Sequence, residues 1–255
     1  MNLLLLDSGE LAPDGTVALA DRRADHLRRV IGATVGQTVR AGVVGGGIGT
    51  AEVTSDDGAA ITLRLELTAP PSLPLPIELV LAIPRPKVLS RVIETAAAFG
   101  VARIDLTNAW RVDKSYLASP RLKTETLEHA LRLGAEQGAT THLPALAIHE
   151  RLMGLLDTRW PDKAGSPELP GSLMTRLLLH PDSPPIEQAA LNWPLTIAIG
   201  PEGGWIGREI DTFIERGFTP VSIGSPVLRV EAVLSATLGQ LLVLQRLRGA
   251  IPGAG

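Results

Sequence analysis

Four prolines within Ala69-Pro70-Pro71-Ser72-Leu73-Pro74-Leu75-Pro76 divide this chain into two segments with different patterns. Proline fixes φ and removes a backbone donor, so such a run forms a stiff, extended connector. Residues 1–70 read as β-rich. Short runs of Val, Ile, Thr and Leu lie at residues 35–41, 49–54 and 60–67, and Gly45-Gly46-Gly47 and Ser55-Asp56-Asp57-Gly58 separate them as turns. This spacing predicts a small barrel, interrupted by one short helix over residues 23–31.

Beyond the connector, strands and helices alternate. Residues 77–83 form a continuous apolar run, as a buried parallel strand requires. Val88, Leu89, Val92, Ile93, Ala96 and Phe99 recur at helical spacing, and Gly100 is placed to end that helix. The same reading gives a strand over 101–106, a helix over 120–137 and strands over 176–179 and 195–199. A helix over 208–216 follows, then a strand over 220–223 and a long helix over 230–248. Residues 161–172, rich in Pro, Gly and Ser, read as a surface loop. Alternation of this kind implies an α/β domain with a parallel sheet. The expected organisation is a barrel over 1–70, a linker over 71–76 and an α/β domain over 77–250.

Composition narrows the chemistry. Hydrophobic residues make up 45% of the chain but aromatics only 3%, so the core must be built from Leu, Val, Ile and Ala. There is no cysteine, which excludes disulfides, thiolate metal sites and cysteine nucleophiles and suits a reducing cytoplasm. Met1-Asn2-Leu3-Leu4-Leu5-Leu6-Asp7 lacks the basic flank of a signal peptide, and no apolar run reaches the ~18 residues of a membrane span. The expectation is a soluble cytoplasmic protein with no membrane partner. Net charge is −3, yet the stretch from Arg85 to Lys123 holds eight Lys/Arg against three Asp/Glu. Such a segment is either a solvated helix face or the electrostatic footprint of a nucleic acid.

Several chemistries are missing. There is no phosphate-binding P-loop, no G-x-G-x-x-G after a strand and no G-x-S-x-G elbow. His149-Glu150 is not followed by a second His at zinc spacing, so no metal is expected.

Two loops remain. Ile197-Ala198-Ile199-Gly200-Pro201-Glu202-Gly203-Gly204-Trp205 carries an apolar strand into a Gly-rich turn and then a helix. Ligands of α/β sheets bind at the carboxyl ends of strands, and glycine lets backbone approach them closely. The helix beginning near Gly207 is expected to favour an anionic group at its N-terminus. A plain strand-to-helix turn would also use glycine. The second loop, Val221-Ser222-Ile223-Gly224-Ser225-Pro226-Val227-Leu228-Arg229-Val230-Glu231, repeats the pattern and places Arg229 and Glu231 at a helix start. That pair is either a helix-end ion pair or a substrate clamp.

Taken together, Gly200-Pro201-Glu202-Gly203-Gly204 and Ile223-Gly224-x-x-Val227-Leu228-Arg229-x-Glu231 resemble the signature of the RsmE family of SPOUT methyltransferases. Arg85-Pro86-Lys87, Phe99-Gly100-Val101, Arg111-Val112-Asp113-Lys114-Ser115 and Glu136-Gln137 follow that family's order upstream. The resemblance implies a PUA-like N-terminal barrel, a C-terminal α/β domain with a deep trefoil knot, and a homodimer. It implies S-adenosylmethionine as cofactor, with His180, Ile199, Gly200, Glu202, Gly203, Gly204, Ile223, Gly224, Val227 and Leu228 around it. The implied reaction is methylation of uracil N3 in 16S rRNA of the small ribosomal subunit. In that reaction Arg229 would stabilise charge on the uracil oxygens, and Glu231 would orient Arg229 or accept the proton. Arg28, Arg29, Arg85, Lys87, Arg111 and Lys114 would hold phosphates. A methyltransferase acting on another RNA, a catalytically weakened RNA-binding relative and an unrelated enzyme for a small nucleotide are the alternatives.

Overall fold

The computed structural model describes residues 2–161, 174–224 and 228–248. Val227 and nearly all of the expected 161–172 loop lie outside the described residues. The N-terminal segment holds β1 (Leu4–Leu6), β2 (Thr16–Leu19), α1 (Arg22–His26), β3 (Thr38–Val43), β4 (Ile48–Asp56) and β5 (Ile61–Ala69). They form one five-stranded mixed sheet in the order β1-β3-β4-β5-β2. Only the β1–β3 pair is parallel. The helix expected over 23–31 is two pieces. Asp21 caps α1 by accepting the Arg23 N–H at 2.8 Å, and the chain then widens into a π turn over Leu27–Ile31. Gly32 closes that turn at φ +68°, a conformation that suits glycine.

After residues 70–74 come β6 (Leu75–Ala82), α2 (Pro86–Ala98), β7 (Val101–Thr107), α3 (Lys114–Leu117), α4 (Thr124–Gly138), β8 (Ala145–His149) and α5 (Leu152–Arg159). The chain ends with β9 (Thr175–Leu179), β10 (Leu195–Ile199), α6 (Gly207–Glu215), β11 (Phe218–Val221) and α7 (Val230–Arg248). Their six strands form a wholly parallel sheet in the order β11-β9-β10-β6-β7-β8. The continuous apolar runs of β6 and β10 suit central strands whose two faces are both covered, and consecutive Leu79, Val80 and Leu81 and Ile197 and Ala198 are all fully buried. The helix expected over 120–137 is divided at Lys123, whose extended backbone separates a 3-10 turn from α4. Helices α2 and α4 approach very closely. A Cβ on Gly134 would lie 2.2 Å from the Glu94 carbonyl oxygen, and one on Gly138 would lie 2.2 Å from that of Ala98. By length and composition α7 could cross a membrane, yet Leu234, Thr237, Leu238 and Leu241 are fully buried in the core.

The two sheets are joined through α4. Leu4 and Leu6 point into the N-terminal core, whereas Leu3 and Leu5 pack on Ala135 of α4. Glu136, 3% exposed, takes both Arg22 guanidinium nitrogens at 2.7 and 3.0 Å. Its carbonyl oxygen accepts from the Asn2 and Leu3 N–H groups. Ser72 in the connector and Thr141 exchange two hydrogen bonds, both 3.0 Å long. The proline run is therefore fastened at its centre, which its composition alone does not reveal.

Candidate functional site

Strands β9, β10 and β11 are neighbours in the sheet, so their carboxyl ends bring three loops together. The loops enclose a cleft of about 660 Å³. Leu179 to Asp182 form one wall, Ile199 to Trp205 a second, and Ser222 to Gly224 with Leu228 a third. Val230 and Val233 on α7 supply the apolar floor. This volume suits a nucleoside-sized ligand.

Each wall is tied to a neighbouring element by hydrogen bonds. The His180 N–H donates to the Val221 carbonyl at 2.9 Å, joining the first wall to the third. Gln240 on α7 donates to the Ile223 carbonyl at 3.0 Å. The Gly-rich wall has two struts. The Arg111 guanidinium donates to the Gly203 carbonyl, and Glu202 accepts the Arg85 backbone N–H at 3.0 Å, with the Arg85 guanidinium 3.9 Å away. Glycine is favoured here by space at two positions and by φ at two others. A Cβ on Gly200 would stand 3.1 Å from the Trp205 indole nitrogen, and one on Gly203 would stand 3.1 Å from the Arg111 side chain. Gly204 has φ +71° and Gly224 φ +95°.

Of the residues expected around a cofactor, His180, Ile199, Gly200, Glu202, Gly203, Gly204, Ile223, Gly224 and Leu228 all line this one cleft. Arg229 and Glu231 flank it at the start of α7, while their neighbours Leu228 and Val230 form its surface. The expected phosphate-binding cations separate into two groups. Arg85 and Arg111 are tied to the Gly-rich wall, and Lys87 and Lys114 are exposed on the same connections. Arg28 lies in the π turn of the N-terminal segment, where its guanidinium is engaged by Asp56 of β4 at 2.8 Å, and Arg29 is exposed with Asp25 at 3.9 Å.

The N-terminus of α6 carries a carboxylate from within the chain. Glu209, 5% exposed, accepts the Ile206 N–H at 3.0 Å and the Trp110 N–H at 2.8 Å. Sequence reasoning missed Glu209, Trp205 and the framework behind them. The rings of Trp205, Phe213, Phe218 and Trp160 form a chain of edge contacts with centroids 4.9–5.0 Å apart. A capping residue three positions into a helix was a legible signal for Glu209. Its second bond, to a residue 99 positions away, was not.

A parallel sheet with a Gly-walled cleft across three strand ends defines a ligand-binding α/β protein, and comparison with known families gives its class. The chain belongs to the RNA methyltransferase domain family, whose model matches residues 71–242. More narrowly, it is 27% identical over 245 residues to the ribosomal RNA small subunit methyltransferase E of Treponema pallidum (strain Nichols), covering 95% of this chain and 91% of that one. It is 26% identical over 232 residues to the protein of the same name from Synechocystis sp. (strain ATCC 27184 / PCC 6803 / Kazusa), covering 91% and 74%. Its fold matches the crystal structure of the Neisseria gonorrhoeae ribosomal RNA small subunit methyltransferase E bound to S-adenosyl methionine. That match has a TM-score of 0.75 at 22% identity and covers 96% of this chain and 98% of that one. The RsmE resemblance carried by the two Gly-containing loops thus extends along nearly the whole chain.

Proposed function

We propose that the protein methylates N3 of a specific uridine in 16S rRNA of the small ribosomal subunit, with S-adenosylmethionine as the methyl donor. The observation that carries this reading is the convergence of nine expected cofactor residues, from three separate loops, on one cleft. The cleft fits the cofactor. Leu179, Ile199, Ile223 and Leu228 offer apolar surface to an adenine, and Gly200, Gly203 and Gly224 let backbone reach its polar edges. Trp205 backs the same wall, with its indole packed behind Gly200.

The cofactor supplies an electrophilic methyl group on a sulfonium. The protein's own task is to position the uracil and to manage the N3 proton. N3 becomes nucleophilic only when that proton leaves, and negative charge then spreads onto the uracil oxygens. Arg229, at the cleft edge, is the cation assigned to those oxygens. Glu231, two residues on, orients Arg229 or takes the proton directly or through water. The target base must be unpaired or flipped to enter. Arg85, Lys87, Arg111 and Lys114 hold phosphates near the cleft, and Arg28 and Arg29 extend the footprint across the N-terminal sheet.

In architectural terms, residues 1–70 are assigned to a PUA-like barrel, 71–76 to the linker and 77–250 to a SPOUT domain with a trefoil knot. The unit is read as a cytoplasmic homodimer. Val243 and Leu247 on α7, 44% and 77% exposed, are apolar positions that a second copy would cover.

The test is titration calorimetry with S-adenosylmethionine, followed by methyl transfer to small-subunit particles. Wild type should bind and methylate, while a folded Gly203→Trp variant should do neither. No binding by folded wild type, with and without RNA, would overturn the reading. Methylation of tRNA or 23S rRNA in place of 16S rRNA would keep the enzyme class and reassign its substrate.

A further inference from the structure

Of the four Trp, one Tyr and three Phe in the chain, Trp110 is the residue left exposed. Its relative exposure is 79%, whereas Trp160 and Trp205 are buried. Exposure here is not looseness. The Trp110 N–H is bonded to buried Glu209, and its neighbours Ala109 and Val112 are 7% and 6% exposed. The backbone is thus pinned on both sides while the indole is held out in solvent. The next residue, Arg111, lines the cleft and bonds the Gly203 carbonyl, so Trp110 stands at the cleft's rim.

The surroundings select the partner. The core of a protein interface is depleted of Lys, Asp and Glu around its aromatic anchors. Trp110 instead is followed by Arg111 and by Lys114 at the start of α3, and Arg85, whose side chain is 68% exposed, is tied to Glu202 of the Gly-rich wall. The nearby carboxylate of Asp113 is turned into its own helix cap, accepting the Ser115 N–H at 2.9 Å. An exposed aromatic ring on a basic stretch of chain is the arrangement that binds single-stranded nucleic acid, with bases stacking on the ring and phosphates meeting the charges.

We propose that Trp110 is a stacking platform for an unpaired base of the RNA substrate, flanking the base that enters the cleft. This rests on the RNA methyltransferase reading above. Trp110 would act as a positioning residue, holding the strand while the reacting base is inserted.

The experiment titrates the full chain with a short single-stranded oligouridine and follows tryptophan emission, using wild type, Trp110→Phe and Trp110→Ala. Stacking on Trp110 should quench the solvent-exposed part of wild-type emission, and neither variant should show that quenching. Affinity for the RNA should fall on the order of tenfold to a hundredfold in Trp110→Ala and only a few-fold in Trp110→Phe. Affinity for S-adenosylmethionine should be unchanged in both. Unaltered RNA affinity in Trp110→Ala, or no quenching of wild type at saturating RNA, would overturn the proposal. So would dissociation of Trp110→Ala into monomers, which would assign the ring to contact between copies. If Trp110→Ala does not fold, wild-type quenching and its absence in Trp110→Phe decide the matter. Quenching by RNA in a wild type that neither binds S-adenosylmethionine nor methylates small-subunit particles would sink the methyltransferase reading and leave the platform standing.

Discussion

Arg22 and Glu136 meet side by side across the junction of the two sheets, with both guanidinium nitrogens on both carboxylate oxygens at 2.7 and 3.0 Å. The Glu136 side chain is 4% exposed and that of Arg22 is 40% exposed, so one partner is desolvated and depends on the other. Removing the cation leaves a carboxylate in a site that cannot hydrate it. Arg22→Ala should lower unfolding stability by about 3 kcal/mol, and Glu136→Gln by less, because an amide needs no counter-ion. Chemical denaturation of each variant checks this. Equal losses would mean that packing, not charge, sets the cost.

Glu209 ties the Trp110 connection to the start of α6 with one carboxylate. Glu209→Ala would leave two backbone N–H groups without an acceptor and should cost about 2 to 4 kcal/mol. Because the same carboxylate fixes the end of the Gly-rich wall, S-adenosylmethionine should also bind several-fold more weakly. Glu209→Gln keeps one acceptor oxygen and should fall between. Calorimetry beside a denaturation series separates the two effects. Full cofactor affinity in a destabilised Glu209→Ala would show that the wall does not need this tether.

Asp105 on β7 gives the protein an acid limit. It is 1% exposed and receives Arg103 at 2.8 and 2.9 Å, His149 at 2.8 Å and Arg159 at 2.8 Å, and Arg159 also meets Glu78. Burial alone would push its carboxyl up, but the hydrogen bonds from Arg103 and His149 and the charge of Arg159 hold it below the ordinary carboxylate range. A carboxylate with a depressed folded-state pKa stabilises fully above its unfolded value, about 4, and loses that contribution as pH falls through the folded value. Asp105→Asn should therefore be about 3 kcal/mol less stable at neutral pH, where three basic groups then face one another. It should also lose less than wild type on acidification below about pH 4. Urea midpoints across that range give the answer, and parallel acid profiles would refute the assignment.

The sequence made legible whatever depends on near neighbours. The apolar run of β10 and the long α7 lie at the expected residues, and the two Gly-containing loops meet as expected. Other elements were hidden for physical reasons. Strand β8 sits at a sheet edge, and its mostly exposed or half-exposed residues give no alternation to read. Helix α5 lacks one clear apolar face, since Leu152, Leu155 and Leu156 are buried but Met153 only partly so. Strand β2 is four residues long, too short to show a period. In the site, the glycines announced themselves, but the bond that joins Glu209 to Trp110 spans 99 positions and leaves no local trace.

The first strand has a consequence for how the molecule is made. Leu4 and Leu6 find their core within the N-terminal segment, but Leu3 and Leu5 wait for Ala135 on α4, and Asn2 bonds to Gln137, 135 positions further on. On the ribosome, these residues emerge well before the helix that covers them. Until α4 arrives, the N-terminal sheet carries an apolar edge in water, so the order of synthesis is not the order of completion.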